Sequence, residues 1–182
     1  MYVNDMLALE RVIKEAITSQ SKDETLRPDF ETTALVNKIV ATTETRLHDL
    51  KALSDSLGGG AGAIKETVAA VAGVFAGLYD MVRKHPVSRM LRDDYSALSL
   101  ASTAYSMLYT TAIALRHDQV AAVAKRGQCQ VAPLVTELSH LIPAVVVAEL
   151  AIDHPSLNHA AIDEAREATR SAWSSHSELV HG

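Results

Sequence analysis

The residues Val36, Ile39, Thr43, Arg46, Leu50, Leu53 and Leu57 follow one another at alternating steps of three and four. Such spacing keeps one stripe of a helix turned toward a neighbour for turn after turn, and a strand, with its period of two, has no use for it. The same spacing recurs elsewhere. Met6, Glu10, Ile13 and Ile17 mark a helix over about 3–21, and Leu91, Tyr95, Leu98, Ser102, Tyr105, Tyr109 and Ala112 mark one over about 88–117. Val120, Val123, Val131, Leu134, Leu138 and Leu141 mark another, capped by Asp118, with Gly127, Pro133 and Pro143 as irregularities. Residues 61–84 read as a medium connector helix whose Ala69, Gly73 and Gly77 permit close approach, and 157–177 as a polar, alanine-rich last helix packed outside the core and anchored by Trp173. The pattern predicts an all-α fold: a four-helix bundle with a crossover connector between its second and third long helices, and an extra C-terminal helix.

Local signals place the boundaries. Pro28 followed by Asp29 and Glu31 reads as the start of the second helix, and Gly58 supplies the left-handed residue that ends it. The run Gly58 to Gly62 lacks the strand and the Lys-Ser/Thr pair of a phosphate loop and reads as a hinge. Residues 1–155 are assigned to the bundle and 156–182 to the C-terminal helix. With 48% hydrophobic and 4% aromatic residues in 182, the composition suits alanine- and leucine-rich helices around one core better than a sheet sandwich.

A formal charge of -5 argues against nucleic acid as a partner. The single cysteine, Cys129, excludes an internal disulfide and is read as a buried apolar residue rather than a reactive thiol. The N-terminus shows no secretion pattern, and the apolar runs at 68–79 and 141–149 are shorter than a bilayer span, so the expectation is a cytoplasmic protein without a membrane partner. Residues 61–84 carry few basic residues before Arg83 and Lys84, which weighs against a membrane-surface helix. No strained turn surrounds Ser102 or Ser106, which weighs against a hydrolase nucleophile.

The order and spacing of four segments resemble the YciE/YciF-like branch of the ferritin-like superfamily: Thr42 to Gly58 (TTETRLHDLKALSDSLG), Asp94 to Leu98 (DYSAL), Tyr105 to Leu115 (YSMLYTTAIAL) and Leu141 to Leu150 (LIPAVVVAEL). The resemblance covers roughly residues 5–150. It implies a pair of iron or manganese ions in the bundle core, held by a Glu from each of two helices and a Glu-x-x-His pair from each of the other two. Glu10 matches the first-helix glutamate, and Glu137 with His140 has the Glu-x-x-His spacing.

The departures fall on the other ligands. The second-helix histidine is replaced by Arg46 and the acids before it by Thr42 and Thr43, and the third helix has Ser102, Thr103 and Tyr105 where the family places acids, with Asp93 and Asp94 more than two turns away. A guanidinium cannot ligate a metal. A charged Arg46 in the core instead needs an anion, so the residues point to a metal-free polar core in which Arg46 pairs with Glu10 or Glu137 and Thr43, Tyr105 and Tyr109 supply further hydrogen bonds. No cofactor is then expected, and the function read from the chain is a non-catalytic structural or protein-interaction role, related to stress as the resemblance implies, in a homodimer. Two alternatives stand beside it. Arg46 extends to solvent with Glu10 at the stripe's edge, or Glu10, Glu44, His48, Glu137 and His140 hold iron or manganese for oxygen or peroxide chemistry.

Overall fold

In the computed structural model, which describes residues 2–26, 29–58 and 86–174, the seams become helices α1 (Tyr2–Gln20), α2 (Phe30–Ser56), α3 (Pro86–Ala114) and α4 (Asp118–Ala151), with a 3-10 turn at Glu24–Leu26 and a shorter α5 (Ala161–Ser174). No strand occurs among the described residues. The proposed connector helix over 61–84, the helix start at Pro28 and the end of the last helix beyond Ser174 lie outside the described residues.

The ends of α2 follow from local chemistry. Asp29 accepts a hydrogen bond from the backbone N–H of Thr32 at 3.0 Å, and the Thr32 hydroxyl donates to the other carboxylate oxygen at 2.6 Å, which satisfies a donor that the first helical turn leaves without a partner. Gly58, at φ +74°, turns the chain out of the helix in the left-handed region. Leu57, counted with the seam, is the helix cap and stands 55% exposed, so the buried stripe ends at Leu53. At the start of α4 the cap position is His117, and Asp118 is the first helical residue.

Four buried stripes line the centre, each at three-four spacing: Met6, Glu10, Ile13 and Ile17 on α1; Ile39, Thr43, Arg46, Leu50 and Leu53 on α2; Leu91, Asp94, Leu98, Ala101, Tyr105, Leu108 and Ala112 on α3; Val120, Ala124, Gly127, Val131, Leu134, Leu138, Leu141 and Val145 on α4. This is the packing of coiled-coil-like bundles, and each fully buried Leu or Ile contributes about 1.5–3 kcal/mol. On α3 the stripe lies one residue over from the sequence reading. Tyr95, Ser102 and Tyr109 are only half-buried, whereas Asp94, Ala101 and Leu108 face the centre. The bulky tyrosines draw the expected face toward themselves, and the observed stripe contains a carboxylate, Asp94.

Cross-helix contacts give the directions. Ser54 donates to Asn4 at 2.9 Å while Arg46 meets Glu10, so α1 and α2 are antiparallel. Lys38 meets Glu137 and Arg126 meets Asp49, so α2 and α4 are antiparallel as well. Glu149 on α4 accepts from the N–H groups of Val87 and Ser88 at 2.8 and 3.2 Å, closing the first turn of α3 from across the bundle, so α3 and α4 are antiparallel too. Helices α2 and α3 therefore run parallel, with the end of one and the start of the other at opposite ends of the bundle. Helix α1 packs on α2 and α3, and α4 on α2, α3 and α5.

Helix α4 continues through Pro133 and Pro143 as one element of 34 residues. By length and composition it is apolar enough to cross a membrane, a property missed by counting uninterrupted runs; the same composition serves a helix packed on three neighbours. Pro143 has no N–H for the carbonyl four residues back, and its ring pushes the preceding turn's carbonyls outward. The His140 carbonyl there accepts from Arg166 Nε at 2.9 Å, and this contact ties α5 to the bundle. Trp173 is no anchor: it is 66% exposed, and α5 buries no residue fully. Cys129, expected inside, is exposed on α4. Arg166→Met is therefore expected to raise amide hydrogen exchange throughout α5 while moving the global unfolding midpoint by less than about 0.5 kcal/mol. Unchanged protection of α5 would show that other contacts hold it.

Candidate functional site

Half-way along the bundle the stripes cease to be apolar. Glu10 from α1 and Arg46 from α2 face each other there, 0% and 1% exposed. The guanidinium meets the carboxylate edge-on in a two-point contact: Nε donates to Oε1 at 2.6 Å and Nη2 to Oε2 at 3.1 Å. Nη2 also donates to the Thr43 hydroxyl at 2.8 Å, and Thr43 in turn donates to the Ile39 carbonyl at 2.7 Å. This planar fork is the geometry that Arg offers a carboxylate and Lys does not. Both carboxylate oxygens are engaged, so Glu10 presents a neutralised edge to the rest of the core.

Tyr105 completes the cluster from α3. Burial chiefly, and then the Glu10 charge, push its phenol above the ordinary value, while Arg46 pulls in the opposite direction. Its hydroxyl lies within reach of both charges but has no hydrogen bond of proper geometry, and Arg46 Nη1 is likewise buried without a partner. The ring rests on α4 where that helix has no side chain. A Cβ at Gly127 would overlap Tyr105 Cε1 and Cζ and lie 2.8 Å from Cδ1.

A phenol held protonated in the fold has a definite pH signature. Its folded pKa lies above the unfolded value, so the stability it contributes is complete below about pH 10 and is lost as pH climbs beyond, where the unfolded tyrosine ionises and the folded one does not. Above about pH 10, Tyr105→Phe is expected to lose stability less steeply than the parent, by up to about 1.4 kcal/mol per pH unit in denaturant melts. Equal slopes would place the phenol in contact with water.

The remaining sequence candidates are not brought to this centre. Glu137 sits at the surface, bridged to Lys38 Nζ at 2.6 and 2.8 Å, so of the two anions offered for Arg46 the structure selects Glu10. Tyr109 packs half-buried against the core, one turn beyond Tyr105. Arg46 does not extend to solvent, and Glu10 is not at an edge. The alternative ligand set is dispersed. Glu44 pairs with Lys14 at 2.9 Å on the surface, the His48 side chain is 85% exposed, and His140 is engaged through its backbone carbonyl by α5. Among the described residues, no three His, Cys, Asp or Glu side chains converge in a way that could hold a metal ion. Of the implied ligands only Glu10 is at the centre, and Arg46 occupies both of its oxygens, so these residues do not fit a dinuclear metal pair.

Sequence reading passed over Gly127, Asp94 and Arg166. Gly127 looked like an irregularity, but its place at three-four spacing between Ala124 and Val131 marks it as a core position. Asp94, fully buried, lies more than two turns from the level at which the resemblance places acidic ligands. Arg166 had no signal at all, because its partner is a backbone carbonyl.

Comparison of the chain with protein-family models, with curated proteins and with solved structures finds no match.

Proposed function

We propose that this chain is a ferritin-like bundle in which an arginine–glutamate pair stands where related bundles hold two metal ions, and that it acts as a non-catalytic structural or protein-interaction component, stress-related, cytoplasmic and dimeric. The observation that carries the reading is the Arg46 guanidinium at the bundle centre, closed on Glu10 and Thr43. A fixed positive charge there opposes a dication, and the carboxylate that would ligate it is already neutralised. The parallel course of α2 and α3 between two antiparallel pairs supports the ferritin-like arrangement, because an up-down-up-down bundle would set them antiparallel. Leu100 and Met107, two turns apart and exposed on one face of α3, support self-association.

The reading predicts that Fe(II) added to the protein consumes oxygen or peroxide at the rate of Fe(II) in buffer alone. Acceleration that saturates at one or two iron ions per chain would contradict it and favour the metal-binding alternative.

A further inference from the structure

The outer side of the bundle holds a groove of about 500 Å³ between α3, α4 and α5. Its origin lies in how α5 is attached. Ile162, Arg166, Thr169 and Trp173 share one face of that helix, and Ile162 and Arg166 are partly covered by the bundle. Trp173, two turns beyond Arg166 on that same face, is nevertheless mostly exposed, with open space between it and α3. An inward-facing indole held off the core leaves a large apolar surface without a partner.

The walls define what fits. Tyr95, Val135 and Ala132 supply apolar surface opposite Trp173. Thr103, Thr136 and Ser139 donate their hydroxyls to backbone carbonyls of their own helices, whereas among the described residues the hydroxyls of Ser99 and Ser102 have no hydrogen-bond partner. Arg170 and His140 are the basic residues of the lining, Arg170 the permanently charged one, and among the described residues no carboxylate lines the groove. Glu167 takes Arg170 Nη1, which leaves Nε and Nη2 as donors. The volume falls within the about 300–1,000 Å³ typical of small-molecule sites. A flat apolar slot edged by hydroxyl donors and a guanidinium is complementary to a planar ring bearing an anionic group.

We propose that this groove binds a small aromatic carboxylate of one or two rings, stacked on Trp173 with its carboxylate toward Arg170 and the free hydroxyls of Ser99 and Ser102. The site is separate from the Glu10–Arg46 centre and does not depend on how that centre is read.

The test is isothermal titration of the full chain with 2-naphthoate, with 2-naphthylmethanol as the uncharged and 2-naphthylmethylamine as the cationic counterpart. Saturable one-site binding of the acid is expected, at least about tenfold tighter than either counterpart, which corresponds to one charge-assisted contact of about 1.4 kcal/mol. Arg170→Gln, on an exposed side chain, should abolish that preference and leave the weak binding of the alcohol, and Arg170→Lys should restore part of it. Ser102→Phe, which fills the slot, should remove binding of all three compounds; its thermal melt checks that the chain still folds, and the Arg170 variants decide the matter if it does not. Trp173, the chain's single tryptophan, should report the same titration as a saturable change in emission. Absence of saturable heat, equal affinity for the acid and the amine, or an Arg170→Gln variant that binds the acid as the parent does would each overturn the proposal.

Discussion

Arg46→Met is expected to destabilise the protein by about 3–5 kcal/mol, lowering Tm by about 6–20 °C for a domain of this size. The cost comes less from the lost attraction than from what is left behind. Glu10 is fully buried on α1, and without the guanidinium its carboxylate must either stay charged in an apolar centre or take up a proton. Glu10→Leu should cost a similar amount, since it strands a guanidinium that retains only the Thr43 hydroxyl. The double variant Glu10→Leu with Arg46→Met should recover most of the loss, because two apolar side chains of similar volume need no partner there. A double-mutant cycle in urea reads the coupling directly. Additive losses would mean that the two groups do not depend on one another.

Gly127→Ala is the second large effect. Alanine is the better helix former by about 1 kcal/mol, so at an exposed position the change would stabilise α4. Here the new methyl meets the rigid Tyr105 ring, and the ring or the helix must move, at about 1–3 kcal/mol or more. The net result should be a loss in Tm. Because Tyr105 lies against Glu10 and Arg46, the ion pair should loosen with it. Tyr105→Leu combined with Gly127→Ala should recover stability relative to the sum of the single losses. A Gly127→Ala variant as stable as the parent would show that the ring has room to withdraw.

Much of the architecture was legible because long amphipathic helices repeat their signal: Met6 to Ile17, Val36 to Leu53 and Val120 to Leu141 each state their buried face many times over. The one-residue offset on α3 shows the limit of that signal. Large size and apolarity are the readable cues, and Tyr95 and Tyr109 outweighed Asp94 and Ala101, although small and charged residues complete the stripe. The polar centre was legible for a related reason. Arg46 interrupts an otherwise apolar seam, and a buried cation needs an anion, which left Glu10 and Glu137 as the partners to decide between. Spacing along one chain cannot make that choice. Glu137 lies one residue away from the buried Leu138, and the resulting rotation about α4 carries it to the surface and Lys38.

Contacts through backbone atoms were the least legible. Arg166 reaches the His140 carbonyl, three residues before a proline, and Tyr105 packs on the bare backbone of Gly127. Neither partner carries a side chain at the contact that could announce it. The groove beside Trp173 is equally hidden from the sequence: it is a gap left where α5 leans chiefly on α4, and side-chain periodicity gives no measure of how far an inward-facing residue stands from its wall.

The most direct measurement of the central claim is elemental analysis of protein purified without chelators and then incubated with Fe(II) or Mn(II), with Arg46→His in parallel. An ion pair that closes the centre predicts less than about 0.1 metal ion retained per parent chain, since an affinity tight enough to survive desalting needs several free anionic ligands. Near-stoichiometric iron or manganese in the parent protein, above all if Arg46→His holds no more, would contradict the account.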